Sequence, residues 1–185
     1  LIGRIMRRAM VRYRMVDIIG SRGTTKTSAV ISAGSNKGIL YPGEVTAYYG
    51  PSNKQTAKIA SEAWHEYSYN YPYLAKHWNV NNDSSDTFKI STAEGSAVEV
   101  AIDRGRNTHC VIGEECGQED GSTPFNWSDF NQIVKATNRL QHLIEGVPDP
   151  SHQDLAEIYI TSASSKENPA YSVYIKARKK MADGE

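Results

Sequence analysis

The chain has 185 residues, with 21 Lys and Arg against 21 Asp and Glu, so its formal net charge is zero. The 39% hydrophobic and 23% charged residues are the balance of a globular protein, which argues against disorder and favours one domain over residues 1–185. Net neutrality means that any contact with nucleic acid is local or shared among subunits. The sequence lacks a run of about 18 apolar residues, which predicts no membrane span, and its basic start does not resemble a secretory signal.

The first predicted element is an amphipathic helix at the N-terminus. Apolar residues recur there at helical spacing, namely Ile2, Ile5, Met6, Ala9 and Tyr13. Arginines occupy the other face, namely Arg4, Arg7, Arg8 and Arg12. This basic face is either a solvated surface over an apolar stripe or a contact with DNA or a partner.

Two predicted strands each lead into a helix. The β-branched run Val16–Ile19 predicts a buried strand, and the turn after it should open a helix from about Lys26 to Ala33, ended by Gly34. Glu44–Tyr49 predicts the second strand, followed by a long helix that Ser52 or Asn53 caps.

The rest of the chain adds strands around two further helices. Residues 70–87 are polar and rich in turn formers, so we expect an exposed excursion. The later predicted elements, in chain order, are a hairpin of Phe88–Ser91 and Ala97–Ile102 around Glu94-Gly95, a strand at Cys110–Ile112, a helix from Trp127 to Ile144, a strand at Glu157–Thr161 and a helix from Asn168-Pro169. Strands that alternate with helices predict an α/β layered domain with a largely parallel sheet.

Residues 20–29, GSRGTTKTSA, nearly match the phosphate-binding loop G-x-x-x-x-G-K-[ST] in the required context of strand, turn and helix. Lys26 would lie against the β- and γ-phosphates, and the Thr27 hydroxyl would coordinate Mg²⁺. Thr25 stands where the second glycine belongs, and a β-branched residue at positive φ costs about 1–3 kcal/mol. The loop alone leaves a nucleotide site and a chance turn both open.

The segment CVIGEE is an apolar strand that ends in Glu114 and Glu115. In ATPases with such a loop, the first carboxylate holds Mg²⁺ and the second polarises the attacking water. Two solvated carboxylates at a strand end are the plain alternative, but the order of the loop and the acidic pair favours an ATPase that uses ATP and Mg²⁺. Thr161 and Ser162 end the strand EIYITSAS and are candidates for sensing hydrolysis beside the γ-phosphate.

The segment around His109, Cys110 and Cys116 raises the question of a zinc site. The cysteine spacing does not match a zinc motif, and the other histidines are scattered. We therefore expect no metal at these residues, and the two cysteines do not predict a disulfide framework.

Taken in order, these motifs resemble the large terminase subunit of tailed bacteriophages, the DNA-packaging motor ATPase. The loop GSRGTTKT is similar to the family's, which carries an arginine where Arg22 stands. AYYGPSNKQTAKI is similar to its second motif, with Gln55 opening the helix. GSAVEVA and DRGRNTHCVIGEE resemble its glycine-serine, arginine-glycine and acidic segments, and ITSAS its coupling motif. The resemblance covers about residues 14 to 172.

The resemblance implies a three-layer P-loop NTPase fold of the RecA-like, additional-strand, catalytic-glutamate class. It implies that Glu115, Arg22 and Lys26 are catalytic, that Thr27 and Glu114 serve the metal, and that Thr161 and Ser162 couple hydrolysis to movement. Arg104 is the candidate for reaching a neighbour's ATP, with Arg106 and Arg139 as rivals. The implied nucleotide-binding residues are Gly20, Ser21, Arg22, Gly23, Thr24, Thr25, Lys26 and Thr27.

The resemblance also implies partners and a place of action. These are double-stranded DNA, a portal protein, the small terminase subunit and a homo-oligomeric, pentameric ring, in the host cytoplasm and transiently at the procapsid portal. The family's C-terminal RNase H-like nuclease is expected to be absent from these residues, so no DNA cleavage is expected of them. Two alternatives stay open: another RecA-like ATPase, such as a helicase or repair motor, and a nucleotide-dependent interaction module with little turnover.

Overall fold

The computed structural model describes residues 2–21, 24–100, 107–118, 123–137, 143–149, 156–162 and 165–184. The helices in these ranges are α1 (Ile2–Arg12), α2 (Lys26–Leu40), α3 (Asn53–Asn70), α4 (Pro72–Ala75), α5 (Trp127–Thr137) and α6 (Pro169–Asp183). The strands are β1 (Met15–Ile19), β2 (Val45–Tyr49), β3 (Asn79–Asp83), β4 (Phe88–Ser91), β5 (Ala97–Val100), β6 (Cys110–Gly113), β7 (Leu143–Ile144), β8 (Val147–Pro148) and β9 (Ala156–Thr161).

Seven of these strands form one mixed sheet in the order β1-β9-β6-β2-β5-β4-β3. The pairs from β1 to β5 are parallel, while β4 and β3 add two antiparallel pairs at one edge. The predicted α/β domain with a largely parallel sheet is therefore confirmed. Strand β9, the last strand in sequence, lies between β1 and β6. It therefore separates β1, which precedes the loop, from β6, which leads into Glu114 and Glu115.

Buried apolar side chains form one cluster on each face of the sheet. Helices α1, α2 and α3 bury Met10, Ile31 and Trp64 on one face, while α5 and α6 bury Phe130 and Val173 on the other. Strands covered on both faces are nearly continuous in apolar residues, as β6 shows. No helix in the described ranges has both the length and the apolarity that crossing a membrane requires.

Several predicted boundaries are confirmed. Ser52 caps α3, since its hydroxyl accepts a 3.3 Å hydrogen bond from the Gln55 N–H. The Asn168 side chain likewise accepts from the Ala170 N–H at 2.8 Å and caps α6. The hairpin of β4 and β5 turns through Gly95 at φ 88°, a conformation that glycine adopts without strain.

The predicted end of the second helix is wrong, because α2 continues through Gly34 to Leu40. A Cβ at Gly38 would lie 2.6 Å from Trp78 Cη2, and one at Gly34 would lie 3.6 Å from Thr46 Cγ2. The missing Cβ at Gly38 lets Trp78 lie against this helix, whereas a Cβ at Gly34 would make an ordinary contact. Packing outweighs the cost of about 1 kcal/mol for glycine inside a helix.

Three other expectations are corrected. Residues 70–87 are not only an excursion, since β3 pairs with β4 and α4 precedes it. The helix from Trp127 is described as far as Thr137, and the predicted helical end Leu143–Ile144 is a strand that pairs with Val147–Pro148. In α1 the inward stripe is Met6, Ala9 and Met10, whereas Ile5 is 59% exposed, and Tyr13 lies beyond the helix.

Candidate functional site

The loop between β1 and α2 presents the start of a helix without a side-chain cap. Thr25 is the N-cap residue with φ 56° and ψ 25°, and its side chain makes no capping hydrogen bond. The expected positive φ at this position is therefore observed, in a β-branched residue that resists it. The first N–H groups of a helix have no partner within the helix, so this end is suited to an anion.

Lys26 lies inside the loop and is only 7% exposed. Its Nζ donates to the carbonyl oxygens of Gly20 and Ser21, each at 2.9 Å. A Cβ on Gly20 would lie 3.1 Å from Thr24 Oγ1 and 3.3 Å from Lys26 Cδ, so glycine is what lets the lysine stem pass so close to the backbone. The ammonium is thus held where the loop and the helix start meet.

Thr27 and Glu114 meet although 87 positions separate them in the chain. The Thr27 hydroxyl donates to Glu114 Oε1 at 3.0 Å. The Tyr48 hydroxyl donates a short hydrogen bond to the other oxygen, Glu114 Oε2. Both oxygens of a carboxylate that is 3% exposed are therefore hydrogen-bonded, and Thr27 and Glu114 together offer the hard oxygen ligands that Mg²⁺ prefers.

Burial raises the pKa of Glu114 above its ordinary value. The hydrogen bonds from Tyr48 and Thr27 and the charge of Lys26 favour the ionised form and oppose this rise, whereas the charge of Glu115 adds to it. Burial is the dominant effect, since removing a carboxylate from water disfavours its charge. A divalent cation at this carboxylate would favour the ionised form.

Glu115 follows at the turn after β6 and has φ 53°. The turn is fixed on both sides, by the Glu114 N–H donating to Tyr49 O at 2.7 Å and by the Cys116 N–H donating to Ile160 O at 3.0 Å. The Glu115 residue is half-buried, in contrast with the enclosed Glu114. The two carboxylates thus have different environments, as two different roles require.

The end of β9 is hydrogen-bonded to the loop. The Gly20 N–H donates to the Thr161 carbonyl at 3.1 Å, and the Thr161 hydroxyl donates to the Ser162 carbonyl at 2.9 Å. The Ser162 hydroxyl oxygen is buried and has no hydrogen-bond partner among the described residues. A backbone hydrogen bond therefore links Gly20, the first residue of the loop, with the end of β9. This end of β9 is the segment that is predicted to couple hydrolysis to movement.

Several predicted residues lie outside the described residues. These are Arg22 and Gly23 of the loop, the candidate trans arginine Arg104 and its rivals Arg106 and Arg139. His109 is described and 7% exposed. Its Nδ1 accepts a 3.1 Å hydrogen bond from the Val45 N–H, so this ring joins the segment before β6 to β2.

The sequence reasoning missed Tyr48 and Asp17. Tyr48 is fully buried near the end of β2, which pairs with the strand that precedes Glu114. Its position near the end of a parallel strand was the sequence feature that could have identified it. Asp17 interrupts the apolar strand β1. Burial raises the pKa of Asp17 to about 6, and its Oδ2 has no hydrogen-bond partner among the described residues.

No family model matches this sequence, and no curated protein matches it either. Solved structures do match. The N-terminal domain of the DNA packaging ATPase of bacteriophage phi29 aligns with a TM-score of 0.59 at 17% identity over 94% of this chain and 84% of that chain. The phi29 viral genome packaging motor assembly aligns with a TM-score of 0.54 at 15% identity over 89% of this chain and 48% of that chain.

A mutant of the large terminase ATPase domain of Thermus phage P74-26 aligns with a TM-score of 0.52 at 14% identity. This alignment covers 99% of the present chain and 86% of that chain. At such identities the likeness concerns the fold. The chain has the fold of bacteriophage DNA-packaging ATPase domains, and the resemblance predicted from its ordered motifs is confirmed at that level.

Proposed function

We propose that this chain is an ATPase motor domain that powers the translocation of double-stranded viral DNA into a procapsid. The observation that carries the proposal is the hydrogen bond between Thr27 and Glu114. It brings the start of the helix after the loop to the end of the acidic strand, within the fold of packaging ATPases. A chance glycine turn gives no reason for this meeting.

The described residues support a division of roles. The N-terminus of α2 and the Lys26 ammonium would bind the phosphates of ATP, while Thr27 and Glu114 would hold Mg²⁺, whose charge would compensate that of the phosphates. Glu115, the more accessible carboxylate, orients the attacking water and accepts its proton. Arg22 remains the proposed sensor of the γ-phosphate in the same subunit, and Arg104 the proposed arginine that reaches a neighbour's ATP.

The strand order supports the RecA-like, additional-strand class. Strand β9 is inserted between β1 and β6, so its end lies between the loop and the acidic pair. The contact between Gly20 and the Thr161 carbonyl gives a path by which a change at the phosphates moves the segment after β9. We propose that Thr161 and Ser162 transmit hydrolysis in this way.

The proposed partners are double-stranded DNA, a portal protein, the small terminase subunit and further copies of the chain in a pentameric ring. The neighbour described as a viral genome packaging motor assembly supports this setting. The place of action would be the host cytoplasm, at the procapsid portal during packaging. A helicase or repair motor would need strand-separating motifs, which the sequence does not offer.

The test is ATP hydrolysis by the parent protein, Lys26→Ala and Glu115→Gln. Lys26→Ala should lose ATP binding, whereas Glu115→Gln should bind ATP and hydrolyse it about 10²–10⁴-fold more slowly, because only the proton acceptor is lost. Parent-like hydrolysis in both variants would show that the site is assigned wrongly. Binding without turnover in the parent would favour the interaction module, with Thr25 as its cause.

A second measurement addresses the partner. A packaging motor should be stimulated by procapsid–portal complexes with double-stranded DNA. Stimulation by single-stranded nucleic acid alone would instead indicate a helicase. Glu115→Gln serves as the control that any stimulated hydrolysis comes from this site.

A further inference from the structure

A cleft of about 330 Å³ lies between α1 and α2, remote from the loop. Its rim carries Arg4, Arg8 and Arg12, which recur every four residues and therefore follow one face of α1. Its remaining lining is largely apolar and includes Val11, Ala33 and Leu40. We call this surface the arginine cleft.

The charge of the arginine cleft is not neutralised within the described part of the chain. The sequence of α1, IGRIMRRAMVR, has no acidic residue, and no described carboxylate forms an ion pair with the three rim arginines. Lys37, which also lines the cleft, forms an ion pair with Glu44 at 2.9 Å. Leu40 is 68% exposed, so the cleft combines exposed positive charge with an uncovered apolar side chain.

The hairpin of β7 and β8 also exposes apolar side chains, but it carries a negative charge where the cleft carries positive charges. Leu143, Ile144 and Val147 are 57%, 56% and 63% exposed, although a hairpin normally needs packing of its apolar side chains to be stable in water. Its tip is Glu145 followed by Gly146, with φ values of 52° and 83°. A carboxylate thus stands at the end of a two-stranded sheet whose apolar residues are uncovered.

We propose that the hairpin of one copy docks into the arginine cleft of a second copy. The apolar side chains of the hairpin would cover Leu40 and its neighbours, and the Glu145 carboxylate would meet the rim arginines. The apolar lining favours such an occupant over nucleic acid, whose backbone would use the arginines and leave Leu40 exposed. This inference rests on the proposed function in one respect, namely that the motor acts as a ring.

The described residues that line the cleft do not include the hairpin, and docking one surface into a different surface of the next copy makes a head-to-tail contact. Contacts of this kind use two different surfaces of each subunit and generate rings when the rotation between copies closes. The proposal therefore names the two surfaces that would hold neighbouring subunits of a ring together. Neither surface contains a residue that we assign to ATP.

Charge reversal tests the contact, with sedimentation velocity as the measurement. Arg8→Glu and Glu145→Arg should each weaken self-association about tenfold or more, because like charges then face each other. An equimolar mixture of the two variants should associate again, because the hairpin of each variant can dock into the cleft of the other, where position 8 has the opposite charge. The double variant should again form assemblies larger than dimers.

The chain offers matched controls. Glu94 is an exposed carboxylate before a positive-φ glycine at another hairpin tip, and Lys179 is an exposed cation on α6. Glu94→Arg and Lys179→Glu should associate like the parent protein. A parent protein that stays monomeric up to about 1 mM, single variants that associate normally, or a mixture that associates no better than the single variants would each overturn the proposal.

Two measurements on the same samples separate the possible failures. ATP binding should be unchanged in Arg8→Glu and Glu145→Arg; if the parent itself does not bind ATP, the proposed function fails and not this contact. Binding of a double-stranded DNA fragment should not depend on Arg8. If Arg8→Glu weakens DNA binding and leaves self-association intact, the cleft is a nucleic-acid contact and the proposal is wrong.

Discussion

The hydroxyl of Thr27, in the first turn of α2, donates a 3.0 Å hydrogen bond to Glu114 Oε1 at the end of β6. The same carboxylate accepts from Tyr48 through its other oxygen. Glu114 is thus positioned by two hydroxyl groups from two different segments. These two hydrogen bonds fix the orientation of the carboxylate, as the supporting hydrogen bonds of a metal-binding carboxylate do.

Removing the Tyr48 hydroxyl should weaken Mg²⁺ binding. Tyr48→Phe deletes a hydrogen bond to a buried carboxylate, which contributes about 1.5–3 kcal/mol, so the Mg²⁺ affinity of the ATP-bound protein should fall about 10- to 100-fold. Titration of Mg²⁺-dependent hydrolysis measures this. Tyr49→Phe is the matched control, since that hydroxyl lies 3.5 Å from the Asn126 carbonyl and not at the site. Equal Mg²⁺ affinities in both variants would contradict the positioning role.

Mg²⁺ binding should also depend on pH. The raised pKa of Glu114 means that the carboxylate takes up a proton at a higher pH than an exposed glutamate. Because only the ionised form binds a cation, Mg²⁺ affinity should decrease as the pH falls and should do so above the ordinary glutamate range. In Tyr48→Phe the decrease should begin at a still higher pH. A decrease confined to the ordinary glutamate range would contradict this assignment.

Replacing Thr25 should relieve backbone strain. A non-glycine residue at φ 56° costs about 1–2 kcal/mol, whereas glycine at such a position loses about 0.4–1 kcal/mol through the entropy of the unfolded chain. Thr25→Gly should therefore leave the free energy of unfolding equal or up to about 1 kcal/mol higher, with ATP affinity equal or improved. Denaturant unfolding and ATP titration measure the two effects.

Thr25→Ala is the control, because it removes the hydroxyl and keeps the strain. The Thr25 hydroxyl donates to the neighbouring Thr24 carbonyl at 2.7 Å. Little change in ATP affinity is therefore expected in Thr25→Ala. A large loss of affinity in Thr25→Gly alone would show that the strained backbone itself is needed for binding.

Neutralising Asp17 should stabilise the protein above acidic pH. Burial raises its pKa from 3.8 to about 6, so the folded state binds a proton that the unfolded state has already released. The stability from this group is fully present below about pH 4 and is lost as the pH rises through about 6. After allowance for its partial exposure, Asp17→Asn should raise the free energy of unfolding by about 1–2 kcal/mol at pH 8.

Urea unfolding of Asp17→Asn and the parent protein at low and high pH measures this difference. The gain should disappear near pH 4, where the parent carboxyl is protonated as well. Asp86→Asn, at an exposed position, should change neither value. A gain of equal size at both pH values would show that ionisation of Asp17 is not the cause.

Local patterns determined much of this protein. The β-branched runs and turn formers predicted β1, β2, β6 and β9, and the loop and the acidic pair were recognisable because each lies in a few consecutive residues. The ends of parallel strands meet at one edge of a sheet. Ordered motifs at the ends of β1, β6 and β9 were therefore enough to predict that Lys26, Thr27, Glu114 and Thr161 lie near one another.

The tertiary structure alone decided the features that depend on distant contacts. Gly34 resembles a helix end until the close packing of Gly38 against Trp78 is known, and Tyr48 is an ordinary strand residue until Glu114 lies beside it. The strand β3 and the hairpin at Leu143–Ile144 were also missed. Each of them forms only because the chain reverses and brings a second strand alongside. Periodicity reports which side of an element is apolar, whereas the atoms that a side chain contacts depend on where the other elements lie.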